Sequence, residues 1–145
     1  MKKIYVPLTV ILFLFVCSSC CKISQVEGTW ELMSAVWIYP NADTVEFPNS
    51  EYDREVKMLG KTHLLFIRQD TTNNDLFFSG GGTFALEGNK YTETLEFADW
   101  ITDIGSTLTY ECQFENDMWI MTGPVLEEGE EEAPWQLREE WKKIE

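Results

Sequence analysis

Residues 75–97 read Asp-Leu-Phe-Phe-Ser-Gly-Gly-Gly-Thr-Phe-Ala-Leu-Glu-Gly-Asn-Lys-Tyr-Thr-Glu-Thr-Leu-Glu-Phe. Two runs rich in aromatic, aliphatic and Thr residues flank Glu87-Gly88-Asn89, which carries turn chemistry. In the second run Thr92, Thr94 and Glu96 form one face. Tyr91, Glu93, Leu95 and Phe97 form the other, and a period of two points that face inward. The stretch therefore predicts a hairpin of strands 75–86 and 90–97. Gly80-Gly81-Gly82 lies inside the first strand. It lacks the following Lys-Ser/Thr and helix of a phosphate loop. Glycine in a strand marks a bulge, a bend or close backbone approach, or here leaves interior space beside a ligand.

The same pattern extends both ways. Strands are predicted at 28–39, 53–59, 62–69, 106–115, 117–123 and 135–144, with turn residues at Gly60, Asp70 to Asn74, Gly105 and Asn116-Asp117. Pro40 to Ser50 reads as a polar loop. There is no helix of three turns and no internal repeat. Eight strands joined mostly by short turns predict an all-β fold, a small eight-stranded antiparallel up-and-down barrel. Such an interior has room for one small ligand.

Alternation assigns faces elsewhere too. Leu108, Tyr110, Cys112 and Phe114 point inward, as do Trp135, Leu137, Glu139, Trp141 and Lys143. Glu93 and Glu139 thus fall on otherwise apolar inner faces. A buried carboxylate is costly unless it is paired, hydrogen-bonded or protonated.

Gly28-Thr29-Trp30 opens the first strand and resembles the start of lipocalins and related calycin barrels. The hairpin around Gly80-Gly81-Gly82 and Tyr91 to Glu96 is similar to that of a family of bacterial secreted lipocalin-like domain proteins. Leu137-x-Glu139-x-Trp141-Lys142-Lys143 resembles that family's final strand. Lys57-Met58-Leu59 and Thr62-His63-Leu64 resemble its second and third. The similarity covers about residues 27–145. It implies a small barrel, with Trp30 packed at the closed end against a basic side chain near the C-terminus, Lys143 or Lys142. Trp30 is expected to pack in the core without touching a ligand.

His63 shares a strand face with Leu65 and Ile67. One imidazole cannot form a zinc site alone, so it is expected to be a hydrogen-bonded core residue or a ligand contact. Glu93 and Glu139 are expected to form a structural network, to contact a ligand or, least favoured, to act in acid–base chemistry. Glu127 to Glu132 holds five acids in six positions, without the spacing of a calcium loop, and reads as a solvated loop.

The N-terminus carries Lys2 and Lys3, an apolar run from Ile4 to Val16, then Cys17-Ser18-Ser19-Cys20-Cys21. This layout reads as an export signal at 1–19. The cysteine after small Ser residues resembles a bacterial lipoprotein site, with Cys20 acylated and Cys21 as the second choice. Residues 20–26 then form a tether and 27–145 the barrel domain. The expected location is the cell envelope, lipid-anchored, at the outer membrane. Cleavage there removes two of the 11 basic residues and none of the 25 acidic ones, taking the formal charge from −14 to −16. Cys112 reads as a small buried apolar residue, with a Cys21–Cys112 disulfide as the alternative.

The 145 residues are 44% hydrophobic and 14% aromatic, enough for one core. The acidic balance argues against nucleic-acid binding and against charge-driven adhesion to anionic lipid. One His and four Cys leave little for structural zinc. No metal or cofactor is expected, and no enzymatic activity. The expected function is binding of a small, mostly hydrophobic ligand, with His63, Tyr91, Glu93, Tyr110 and Glu139 as polar contacts. The alternatives are an interaction lipoprotein with a filled barrel, or an enzyme using Glu93 and Glu139.

Overall fold

The computed structural model describes residues 23–40, 44–48, 53–73, 75–99, 104–125 and 135–145. The proposed signal segment, Cys20, Cys21 and the Glu127 to Glu132 loop lie outside the described residues. A single helical turn, α1 (Ile23–Val26), precedes nine strands: β1 (Gly28–Ile38), β2 (Val45–Phe47), β3 (Asp53–Leu59), β4 (His63–Asp70), β5 (Leu76–Glu87), β6 (Lys90–Ala98), β7 (Thr107–Glu115), β8 (Met118–Gly123) and β9 (Gln136–Lys143). Each strand from β3 to β9 pairs antiparallel with the next, and β1 pairs with both β3 and β9. These pairings close an eight-stranded barrel. All eight predicted strands are present, to within a residue or two at their ends.

The ninth strand is the addition. β2 lies within the stretch read as a polar loop and pairs with Ala35 to Trp37 of β1. It is three residues long, too short to announce itself by alternation. Its Phe47 is buried.

Turn chemistry sets the hairpins. Asn116 and Asp117, between β7 and β8, both take positive φ, 48° and 63°, the twist that a two-residue hairpin needs. On the outer face Thr92 meets Thr109 and Thr94 meets Thr107 through hydroxyl hydrogen bonds of 3.1 and 2.9 Å, as the alternation assigned.

The glycine run does mark a bulge. The β5–β6 register shifts between Gly81 and Gly82, so Gly81 opposes Phe97 while Gly82 opposes Leu95. At Gly82 a Cβ would stand 2.0 Å from the carbonyl oxygen of Thr94, so the close approach requires glycine. The bulge also breaks the alternation of β6. Phe97, expected inward, is half exposed on the outside. Gly80 leaves no free space, because the Phe66 ring occupies the position a side chain would take.

One half of the interior is solid. Trp30, Trp119, Trp141 and Tyr91 are almost fully buried, with edge contacts between Trp30 and Trp119 and between Tyr91 and Trp119. Trp30 donates its indole N–H to the carbonyl of Val26, 2.8 Å away, and α1 thereby covers this end. Lys143 opposes Trp30 in the β1–β9 register and holds its ammonium 5.3 Å from the Trp30 ring. Of the two C-terminal lysines, Lys143 is the one placed over the Trp30 ring. Cys112 is a buried free thiol accepting the Trp119 indole N–H at 3.0 Å. Among the described residues no helix is long and apolar enough to cross a membrane.

Candidate functional site

Above the aromatic layer the barrel is not filled. A cavity of about 190 Å³ lies among strands from every side of the barrel. Its apolar wall comes from Trp37, Phe66, Phe78, Leu95, Leu108, Met121, Trp135 and Leu137. Its polar groups are Glu55, Lys57, Glu93, Tyr110 and Glu139. Trp37 and Leu137 are register partners near the end of β1 opposite Trp30, so the cavity occupies the half away from the closed end.

Lys57 forms the floor. Its ammonium lies 2.7 Å from the Glu93 carboxylate, and both side chains are buried. The same ammonium stands 4.9 Å from the Trp141 ring centre and 5.7, 5.8 and 5.9 Å from those of Trp119, Phe66 and Tyr91. Four ring faces and one carboxylate thus replace its water. Burial pulls the Lys57 pKa down, but Glu93, Glu139 and Glu55 more than restore it, so it stays above the ordinary lysine value.

Tyr91 donates its hydroxyl to Glu93 at 2.8 Å. Burial, and then the Glu93 charge, push the Tyr91 phenol well above its ordinary range. Glu139 accepts the Trp141 indole N–H at 2.8 Å. Burial raises the Glu139 pKa, against the opposing pull of Lys57 and of that N–H. Ala35, the register partner of Glu139, is the smallest of the inward β1 residues Trp30, Leu32, Ala35 and Trp37.

Glu55 is the least satisfied group. It is 5% exposed, and its Oε2 is buried without a hydrogen-bond partner. Burial, and then the charge of Glu139, push its pKa up to about 8, against Lys57 and Arg68. Arg68 opposes Glu55 across the β3–β4 ladder but forks onto Asp53, with Nε 2.9 Å from Oδ1. Its guanidinium also lies over Phe47, 4.7 Å from the ring centre.

Of the five expected polar contacts, Glu93, Tyr110 and Glu139 reach the cavity. Tyr91 does not line it, and instead holds Glu93 from beneath. His63 is a correction. It lies exposed on the outer face with Leu65 and Ile67, bonded through Nδ1 to the Thr62 hydroxyl at 2.8 Å. Both faces of β4 are apolar, so alternation could not choose. Pairing of Leu64 with Leu59 sends Leu64, Phe66 and Arg68 inward.

Sequence reasoning also missed Glu55, Lys57 and Arg68. β3 inverts the usual rule, since Glu55 and Lys57 are buried while Met58 is half exposed. The available signal was parity with Leu59, which is buried and shares their face. Among the described residues no group of His, Cys, Asp and Glu is arranged to hold a metal ion.

Fold and site together define a closed antiparallel barrel with a solid aromatic end and a cavity floored by buried charges. No family model matches the chain, and no curated protein matches it. Among solved structures it is similar to the crystal structure of Rv2717c from M. tuberculosis, at 12% identity over 85% of this chain and 95% of that one, with a TM-score of 0.44. The barrel assignment rests on the strand pairing itself.

Proposed function

We propose that this protein is a lipocalin-like binder that holds a small, mostly hydrophobic molecule in the barrel cavity. The observation that carries the reading is the cavity itself, walled by aromatic and aliphatic side chains with a few convergent polar groups. That is the composition of small-molecule sites. Glu93, Tyr110 and Glu139 are the polar contacts kept from the sequence reading, and Glu55 joins them. We place the protein in the cell envelope on a Cys20 lipid anchor, a reading supported by the signal layout alone.

Binding is favoured over catalysis by the Glu93 and Glu139 pair because both of these carboxylates are engaged. Glu93 is held by Lys57 and Tyr91, and Glu139 by Trp141. A carboxylate tied to an ammonium at 2.7 Å is a poor proton carrier for a substrate.

Native mass spectrometry of the exported protein, purified in lipid nanodiscs, tests the reading. It should show a stoichiometric small molecule that is lost on denaturation or on replacing Leu108 with Trp, which fills the cavity. Protein that is always empty, and that takes up nothing from a library of apolar compounds, would count against it.

A further inference from the structure

With every carboxyl ionised, the charges around the cavity do not balance. Lys57 pairs with Glu93, and Arg68 with Asp53. Among the described residues no basic side chain lies at ion-pair distance from Glu55 or Glu139. Glu139 has the Trp141 N–H, whereas Glu55 Oε2 has no partner although it is buried beside the cavity.

A bound anion would add to this negative surplus. A neutral apolar ligand would leave Glu55 Oε2 unsatisfied. An ammonium supplies a donor and a charge that favours the ionised form of the Glu55 carboxyl. The walls agree, since aromatic faces attract cations when water is excluded. The structure already seats one ammonium this way, that of Lys57 over Trp141. Size sets the rest. A cavity of about 150 Å³ holds one benzene ring, and this one is about 190 Å³.

We propose that the ligand is a small organic cation, its ammonium against Glu55 and Glu139 and its apolar part between Trp37, Phe78 and Trp135. This rests on the reading of the cavity as a ligand site and narrows it to a charge class.

Three probes that share one ring test it: benzylamine, benzyl alcohol and benzoate. They are titrated calorimetrically into the exported protein in nanodiscs. Benzylamine should bind at least tenfold more tightly than benzyl alcohol, and benzoate most weakly. Glu55 is faced by Lys57 on its own strand, Arg68 on β4, Glu93 on β6, Tyr110 on β7 and Glu139 on β9. Among these the amine should drive ionisation at Glu55. Calorimetry near neutral pH in two buffers of different ionisation heat should therefore show proton release with the amine and none with the alcohol. Glu55→Gln should erase the preference for the amine, and the proton measurement needs no variant. If the alcohol binds as tightly as the amine, or benzoate binds best, the cation assignment is overturned and the cavity reading stands. If no probe binds, the cavity reading falls and takes the assignment with it.

Discussion

The ammonium of Lys57 meets the carboxylate of Glu93 at 2.7 Å inside the barrel, with side-chain exposures of 5% and 9%. This buried pair divides the interior into a packed aromatic half and a hollow half. Removing Lys57 leaves the buried Glu93 carboxylate without solvent or counter-ion, typically at a cost of about 3–5 kcal/mol. Lys57→Met should therefore lower the melting temperature sharply. Lys57→Met combined with Glu93→Gln should recover more than half of the loss, because Tyr91 can still donate to the amide oxygen. Thermal melts of the two single variants and the double variant check this coupling.

Glu55 makes stability depend on pH in a defined direction. Its carboxyl titrates near 8 in the barrel against an ordinary value of 4.5. Between those values the folded state holds a proton that the unfolded chain has released. The contribution is full below about 4.5 and is lost as pH rises towards 8, by at most about 1.4 kcal/mol per pH unit. Gln at position 55 is neutral throughout. The melting temperature of Glu55→Gln should fall less than that of the parent between about pH 5 and pH 8.

Gly28 and Gly88 both take positive φ, but in different surroundings. At Gly28, φ is +131°, and a Cβ would stand 2.3 Å from the carbonyl oxygen of Glu145. At Gly88, φ is +68° and nothing lies within 4 Å. Gly88→Ala should cost about 1–2 kcal/mol, the left-handed penalty alone. Gly28→Ala should cost more, because the contact of Thr29 N–H with Glu145 must also give way. Chemical denaturation of the two variants ranks them.

Burial raises the Cys112 thiol to about 12, so little thiolate forms near neutral pH. The peptide containing Cys112 should remain unmodified when folded protein is treated with iodoacetamide. It should alkylate fully in denaturant. Mass spectrometry of the digested peptide reads both states, and rapid labelling of folded protein would contradict this placement of the thiol.

The strands were legible because period-two alternation and turn residues agree along most of the chain. Glu93 and Glu139 were legible for the same reason, standing out as charges on apolar faces. Glu55 and Lys57 were not, because β3 carries its charges inward and its Met58 outward. His63 was misplaced because Leu65 and Ile67 made the outer face of β4 look like a core face. Phe97 was misplaced because one bulge at Gly81/Gly82 reverses the parity of everything beyond it. Each miss lies where long-range pairing, not local pattern, decides which way a side chain points.

On the function proposed here, the space above the Lys57–Glu93 pair holds a ligand. A crystal structure of the protein grown with benzylamine tests it most directly. Ligand density is expected between Trp37 and Trp135, with the amine in hydrogen-bonding contact with Glu55. An interior closed by Trp37 and Trp135 over packed side chains, with no ligand inside, would contradict it.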